Sequence, residues 1–140
     1  MQNSKPILLV EDDSLDVMTV KRALKDLRVT NELVHAGNGE EALEYLKDDS
    51  NKKPYIVLSD LNMPKMDGIE FLKTVKSDET LKNIPVVVLT TSKAEDDIAE
   101  SFKLGVDGYM VKSSDYDKFL EIIRAVTLYW ILSELPPIGN

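Results

Sequence analysis

Four short, unbroken apolar runs punctuate this chain. Ile7-Leu8-Leu9-Val10, Ile56-Val57-Leu58, Val86-Val87-Val88-Leu89 and Tyr109-Met110-Val111 are rich in β-branched residues and do not alternate with polar ones. That is the pattern of strands covered on both faces in a parallel sheet. Glu32 to Ala36 supplies a further strand. Between them, apolar residues recur at helical spacing: Val17, Val20, Leu24 and Leu27; Ala42, Leu43 and Leu46; Ile69, Leu72 and Val75. A fourth helix is predicted over Lys93 to Leu104, closed by Gly105, and a last one from Ser114 to about Leu132, with Asp117 as capping-box partner and Pro136-Pro137 forbidding continuation. Asp13 or Ser14 is the expected cap of the first helix, Asp67 a turn or cap residue before Gly68, and Thr91 or Ser92 the cap of the fourth helix. Five strand-helix units in this order predict an α/β fold, a doubly wound five-stranded parallel sheet with helices on both faces.

The 140 residues suit one domain, with a core over 5–123 and an extended last helix and tail over 124–140. With 25 acidic against 17 basic residues the net charge is -8, which repels a phosphate backbone and predicts no nucleic-acid partner. The absence of cysteine removes disulfides, zinc thiolate sites and thiol catalysis, and fits a reducing compartment. No apolar leader opens the sequence and no run approaches the length of a membrane span, so the expectation is a cytoplasmic protein without membrane contact.

Parallel strands all point one way, so residues just past several of them meet at one edge of the sheet, where open α/β folds bind ligands. Glu11, Asp12, Asp60, Asn62, Thr90 and Lys112 all arrive there. Carboxylates brought together repel and call for a hard, oxygen-seeking cation such as Mg²⁺. Asp12 and Asp60 are expected to ligate it directly, Glu11 through a water, and Asn62 through its backbone carbonyl. Asp60 is the candidate nucleophile, because a carboxylate can accept a phosphoryl group if a metal and a cation neutralise the transferring oxygens. Lys112 is the candidate cation, and the Thr90 hydroxyl a hydrogen-bond donor to the attached group. The single histidine, His35, has no partner at ligand spacing and reads as a packing or surface residue.

The segments Leu8-Leu9-Val10-Glu11-Asp12, Leu58-Ser59-Asp60-Leu61-Asn62-Met63-Pro64-Lys65-Met66-Asp67-Gly68, Val88-Leu89-Thr90-Thr91 and Gly108-Tyr109-Met110-Val111-Lys112 resemble the signature stretches of the response-regulator receiver domain. The match covers Lys5 to Ile123. It implies a flavodoxin-like sheet with strand order 2-1-3-4-5, the order shared with chemotaxis receivers. It also implies phosphotransfer from a histidine kinase to Asp60, spontaneous hydrolysis in place of enzymatic turnover, and a switch in which Thr90 is drawn in and Tyr109 swings inward. Lys112-Ser113 and the tail Tyr129-Trp130 followed by Pro136 are similar to the stand-alone regulators that partner phytochrome-type kinases. Most receivers carry proline after the active-site lysine, following a cis bond; here Ser113 stands in that place, and the bond is still expected to be cis, so that Lys112 can turn back toward Asp60.

Rival readings are weaker on particular residues. An aspartate-nucleophile phosphatase of the haloacid-dehalogenase type has an acid two residues past its nucleophile, where this chain has Asn62, which cannot shuttle a proton at neutral pH. A flavodoxin-like carrier would present its cofactor phosphate to Glu11-Asp12-Asp13. A pseudo-receiver serving only as a binding module has no use for the full set of acids, Thr90 and Lys112. Too few residues follow the last helix for an output domain, so output is expected through protein contacts or relay. From Ala125 to Leu132, Val126, Leu128, Tyr129, Trp130, Ile131 and Leu132 surround that helix with more apolar surface than one face of a sheet covers. A two-fold homodimer through Tyr129, Trp130 and Pro136 is expected, as the resemblance to phytochrome-partner regulators also implies.

Overall fold

The computed structural model describes residues 5–63 and 65–133, with side chains described as far as Tyr129. Strand and helix alternate throughout: β1 (Ile7–Val10), α1 (Ser14–Asp26), β2 (Leu33–Ala36), α2 (Gly39–Lys47), β3 (Ile56–Ser59), α3 (Gly68–Ser77), β4 (Val86–Thr90), α4 (Glu95–Lys103), β5 (Gly108–Val111) and α5 (Tyr116–Ser133). All strand pairs are parallel, in the order β2-β1-β3-β4-β5. The strand order expected from the resemblance is therefore the observed one. β1 sits between β2 and β3, with Leu8 level with Val34 on one side and Val57 on the other.

Because successive strand residues point to opposite faces, each apolar run feeds two cores at once. Leu8, Val10, Val57, Val86 and Val88 pack under α2 and α3 with Leu43, Leu46, Phe71, Leu72 and Val75. Ile7, Leu9, Ile56, Leu58, Val87 and Leu89 pack under α1 and α5 with Val17, Val20, Leu24, Phe119, Ile123 and Val126. Burial on both faces is why the runs of β1, β3 and β4 have no polar alternation; the run of β5, expected to be covered in the same way, lies at the edge of the sheet and is only partly buried.

The helix ends show where local rules held. Asp13 caps α1, its Oδ1 accepting from the amides of Leu15 and Asp16. Asp67 caps α3 by accepting from the Glu70 amide. Gly105, at φ 98°, turns the chain past α4 in the left-handed region that glycine tolerates. Two expected caps are displaced. α4 begins at Glu95 with Ala94 at the cap position and no side-chain cap; Ser92 instead donates to Asp97 at 2.6 Å and accepts from the Ala94 amide. α5 begins at Tyr116 rather than Ser114, because Asp115 supplies the first carbonyl, to Phe119, and its Oδ1 takes the Asp117 amide. Asp117 is thus a first-turn residue rather than the partner of a Ser114 cap. Val126, counted with the surplus apolar surface of the last helix, is buried against the sheet at 2% exposure.

Candidate functional site

The C-terminal ends of β1, β3, β4 and β5 bring the expected residues together. Glu11 directly follows β1 and is tied on every side. Its amide donates to the Ala36 carbonyl, its carbonyl meets the His35 Nε2 at 2.7 Å, and its Oε2 accepts from the Asp13 amide. Burial, the largest influence, pushes its carboxyl up to about 7 from an ordinary 4.5, against the pull of Lys112 and with a further push from Asp60. Asp60 follows β3 and is almost as enclosed: its amide donates to the Val10 carbonyl, and its Oδ1 accepts from the Leu61 amide at 2.7 Å. Asp12 is exposed beside them, and one carboxylate oxygen from each of Glu11, Asp12 and Asp60 lies within 4.8 Å of the others. Asn62 is exposed in the connection after β3. Three hard oxygen donors gathered in this way suit a small divalent cation.

Lys112, just after β5, closes the cluster. Its Nζ lies 2.8 Å from Glu11 Oε1, 2.7 Å from Asp16 Oδ2 and 3.4 Å from Asp60 Oδ2. Burial alone would lower its proton affinity, but hydrogen bonds to Asp16 and Glu11 and the charge of Asp60 outweigh it and hold the ammonium above its ordinary range. The expected cis bond after Lys112 is absent: no peptide among the described residues is cis. A cis bond before a non-proline residue costs about 3–4 kcal/mol, and Lys112 reaches all three carboxylates without it while its amide stays bonded to the Thr90 carbonyl.

Thr90 ends β4 fully buried, its hydroxyl oxygen accepting from the Ser92 amide at 3.3 Å. The half-buried Tyr109 donates its hydroxyl to the Ser92 carbonyl. The two residues assigned to a switch thus meet through the backbone of one loop residue. Sequence reasoning missed Asp16, whose signal was its place in the first turn of α1, directly beyond the acid-rich end of β1. It also missed the bond from His35 to the Glu11 carbonyl; of the two places expected for His35, packing or surface, the strand-two surface is the one found. Of the anticipated interface residues, Tyr129 is 63% exposed beside Leu128 at 52%. Pro136 lies outside the described residues, as does the side chain of Trp130.

A doubly wound parallel sheet with acids after β1 and β3, threonine at the end of β4 and lysine after β5 defines a class. Residues 7–124 match the response regulator receiver domain, and the chain belongs to that family. Receivers are signalling proteins of two-component systems that bind a divalent metal and partner with histidine kinases. The chain is similar to Rcp1, a response regulator of Synechocystis sp., at 37% identity over 131 residues covering 91% of this chain and 89% of that one. The solved structure of the phosphorylated cyanobacterial phytochrome response regulator RcpA matches with a TM-score of 0.88 at 40% identity, covering 96% of this chain and 99% of that one. The Mn²⁺-bound form of Rcp1 matches with a TM-score of 0.86 at 36% identity, covering 95% of this chain and 99% of that one. Among the described residues no helix is long and apolar enough to cross a membrane.

Proposed function

We propose that Asp60 accepts a phosphoryl group from the phosphohistidine of a sensor histidine kinase of the phytochrome type, and that the protein is a phosphorylation switch rather than a turnover enzyme. The observation that carries this is the Asp60 carboxylate itself, enclosed at the sheet edge with one oxygen fixed by the Leu61 amide and the other facing the Lys112 ammonium. A carboxylate oxygen attacks phosphorus; the O–P bond forms as the P–N bond of phosphohistidine breaks, its electron pair returning to the ring nitrogen. Hydrolysis reverses the modification when water attacks phosphorus and the carboxylate leaves. Asp12 and Asp60 would hold Mg²⁺ directly, Glu11 through a water and Asn62 by its carbonyl; the ion would neutralise the transferring oxygens. Lys112 clamps the phosphoryl oxygens, and Thr90 and Tyr109 respond through Ser92. Residues 1–140 act as one receiver unit in the cytoplasm, where ATP-driven kinases make the phosphohistidine. Incubation with Mg²⁺ and acetyl phosphate should give a base-labile, hydroxylamine-sensitive phosphoryl group on Asp60; its absence overturns the reading.

Lys112→Ala separates the ion site from the phosphoryl clamp. Removing the cation shared by Glu11 and Asp60 leaves the metal-holding carboxylates in place, so Mg²⁺ affinity is retained or tightened, whereas the loop response of residues 90–112 to phosphorylation is lost. Calorimetric Mg²⁺ titration with hydrogen exchange reads both, and loss of metal affinity would show the roles to be wrongly assigned.

The protein acts as a two-fold homodimer built on α5. Leu128 and Tyr129 stand exposed on its second half, and the sequence continues with Trp130, Ile131 and Leu132. Sedimentation should show a dimer at micromolar concentration that Leu128→Ala with Trp130→Ala converts to monomer. A monomeric wild type, or a variant as dimeric as its parent, ends this part of the proposal.

A further inference from the structure

Asp16 is the one acidic residue in contact with Lys112 that phosphoryl acceptance and metal binding leave without a role. Its carboxylate makes the shortest of the three Lys112 contacts, at 2.7 Å, while Asp60 makes the longest, at 3.4 Å. An ammonium carries three N–H donors and no more, so Glu11, Asp16 and Asp60 together use all of them. A phosphoryl group on Asp60 adds oxygens that must be met by a donor already engaged. We propose that Asp16 is a positioning residue for the reaction at Asp60: it draws the Lys112 ammonium toward itself at rest, leaving Asp60 the longest of the three contacts, and releases it when the phosphoryl group arrives. The inference rests on the assignment of Asp60 as acceptor.

Asp16, not Glu11, is the partner that lets go. The Glu11 side chain is 3% exposed, so freeing it would strand a buried carboxylate, whereas the Asp16 side chain is 39% exposed and returns to water. An open cavity of about 280 Å³, lined among others by Asp16, Thr19, Lys112 and Ser113, gives the freed carboxylate room. The backbone of Asp16 stays in place meanwhile, since its amide donates to the Asp13 cap. The Lys112–Asp16 contact therefore opposes the phosphoryl clamp, and wild-type protein is phosphorylated more slowly than a chain without it.

The test is the initial rate of phosphorylation of the full chain by acetyl phosphate at saturating Mg²⁺. Asp16→Asn should raise it about fivefold, the factor carried by ~1 kcal/mol of partly exposed ion pair. Asp16→Glu, whose longer side chain still reaches Lys112, should restore the wild-type rate. In a Lys112→Ala background, Asp16→Asn should change nothing, an outcome that a merely structural Asp16 would not produce. An unchanged or slower rate for Asp16→Asn, or the same gain without Lys112, overturns the inference while leaving Asp60 as acceptor. Absence of any phosphoryl group on wild-type Asp60 overturns both.

Discussion

Asp60→Asn should abolish phosphoryl incorporation while leaving the protein folded and slightly more stable. The amide that replaces the carboxylate is a poor nucleophile toward phosphorus, so the acceptor is lost outright rather than slowed. The fold tolerates the change because the Asn oxygen can still accept from the Leu61 amide, the 2.7 Å bond that fixes this side chain. What goes is the 3.4 Å contact to Lys112, the loosest of its three, together with repulsion from Glu11 and Asp12. The balance favours the variant by about 1 kcal/mol or less, the scale of a weak ion pair. Its pH dependence has a definite sign. In the wild type the folded Glu11 carboxyl is raised to about 7 above its ordinary 4.5, so stability present below pH 4.5 is lost as the pH rises through 7. Removing the Asp60 charge lowers the folded value and reduces that loss. The stabilisation should therefore be largest above pH 7 and fade toward pH 4. Denaturant titrations at the two pH values, beside a phosphorylation assay, check both halves; comparable incorporation elsewhere in the chain would remove Asp60 from the mechanism.

The readable parts of this protein are those decided by short stretches of chain. Strands such as Val86 to Thr90 are buried on both faces, and that alone forces an unbroken apolar run. Once the strands are parallel, Glu11, Asp12, Asp60, Thr90 and Lys112 must share an edge, so the candidate site followed from their places after strands. The partners of Lys112 were not readable, since its contact with Asp16 joins residues 96 positions apart and depends on how far a lysine reaches across the top of the sheet. The start of α5 was misplaced for a different reason. Ser114 and Asp115 are both competent caps, and the β5 connection, in which Ser113 accepts from the Asp115 amide, selects the second. Val126 was counted as surplus apolar surface because periodicity does not say how far along a helix the sheet extends. The core over that face takes in Val126, and Leu128 and Tyr129 are left uncovered.

Gly68→Ala should be among the most damaging single-methyl changes available, and it should damage the site as well as the fold. Gly68 opens α3 directly against the loop that carries Asp60, its amide donating to the Leu61 carbonyl at 2.8 Å. A Cβ there would overlap the Asp60 carbonyl oxygen and stand 2.6 Å from Leu61 Cα and 2.9 Å from the Asp60 carbonyl carbon. All three are backbone atoms, so no rotamer change relieves the clash, and α3 or the β3 end must move. Overpacking of this kind costs about 3 kcal/mol, and because Gly68 is the first residue of α3, alanine recovers little of it as helix propensity. Gly39 offers a milder comparison: a Cβ there meets Met66 Cγ at 2.8 Å, which can turn aside, and Met66 Cβ and the Met66 carbonyl oxygen at 3.0 Å, which must give by only a few tenths of an ångström. Gly68→Ala should therefore lower the denaturant midpoint several times more than Gly39→Ala, and reduce the phosphorylation rate of the fraction that remains folded, because the Asp60 backbone has been displaced. A Gly68→Ala protein with the wild-type midpoint and rate would mean that α3 does not hold the acceptor loop in the way described.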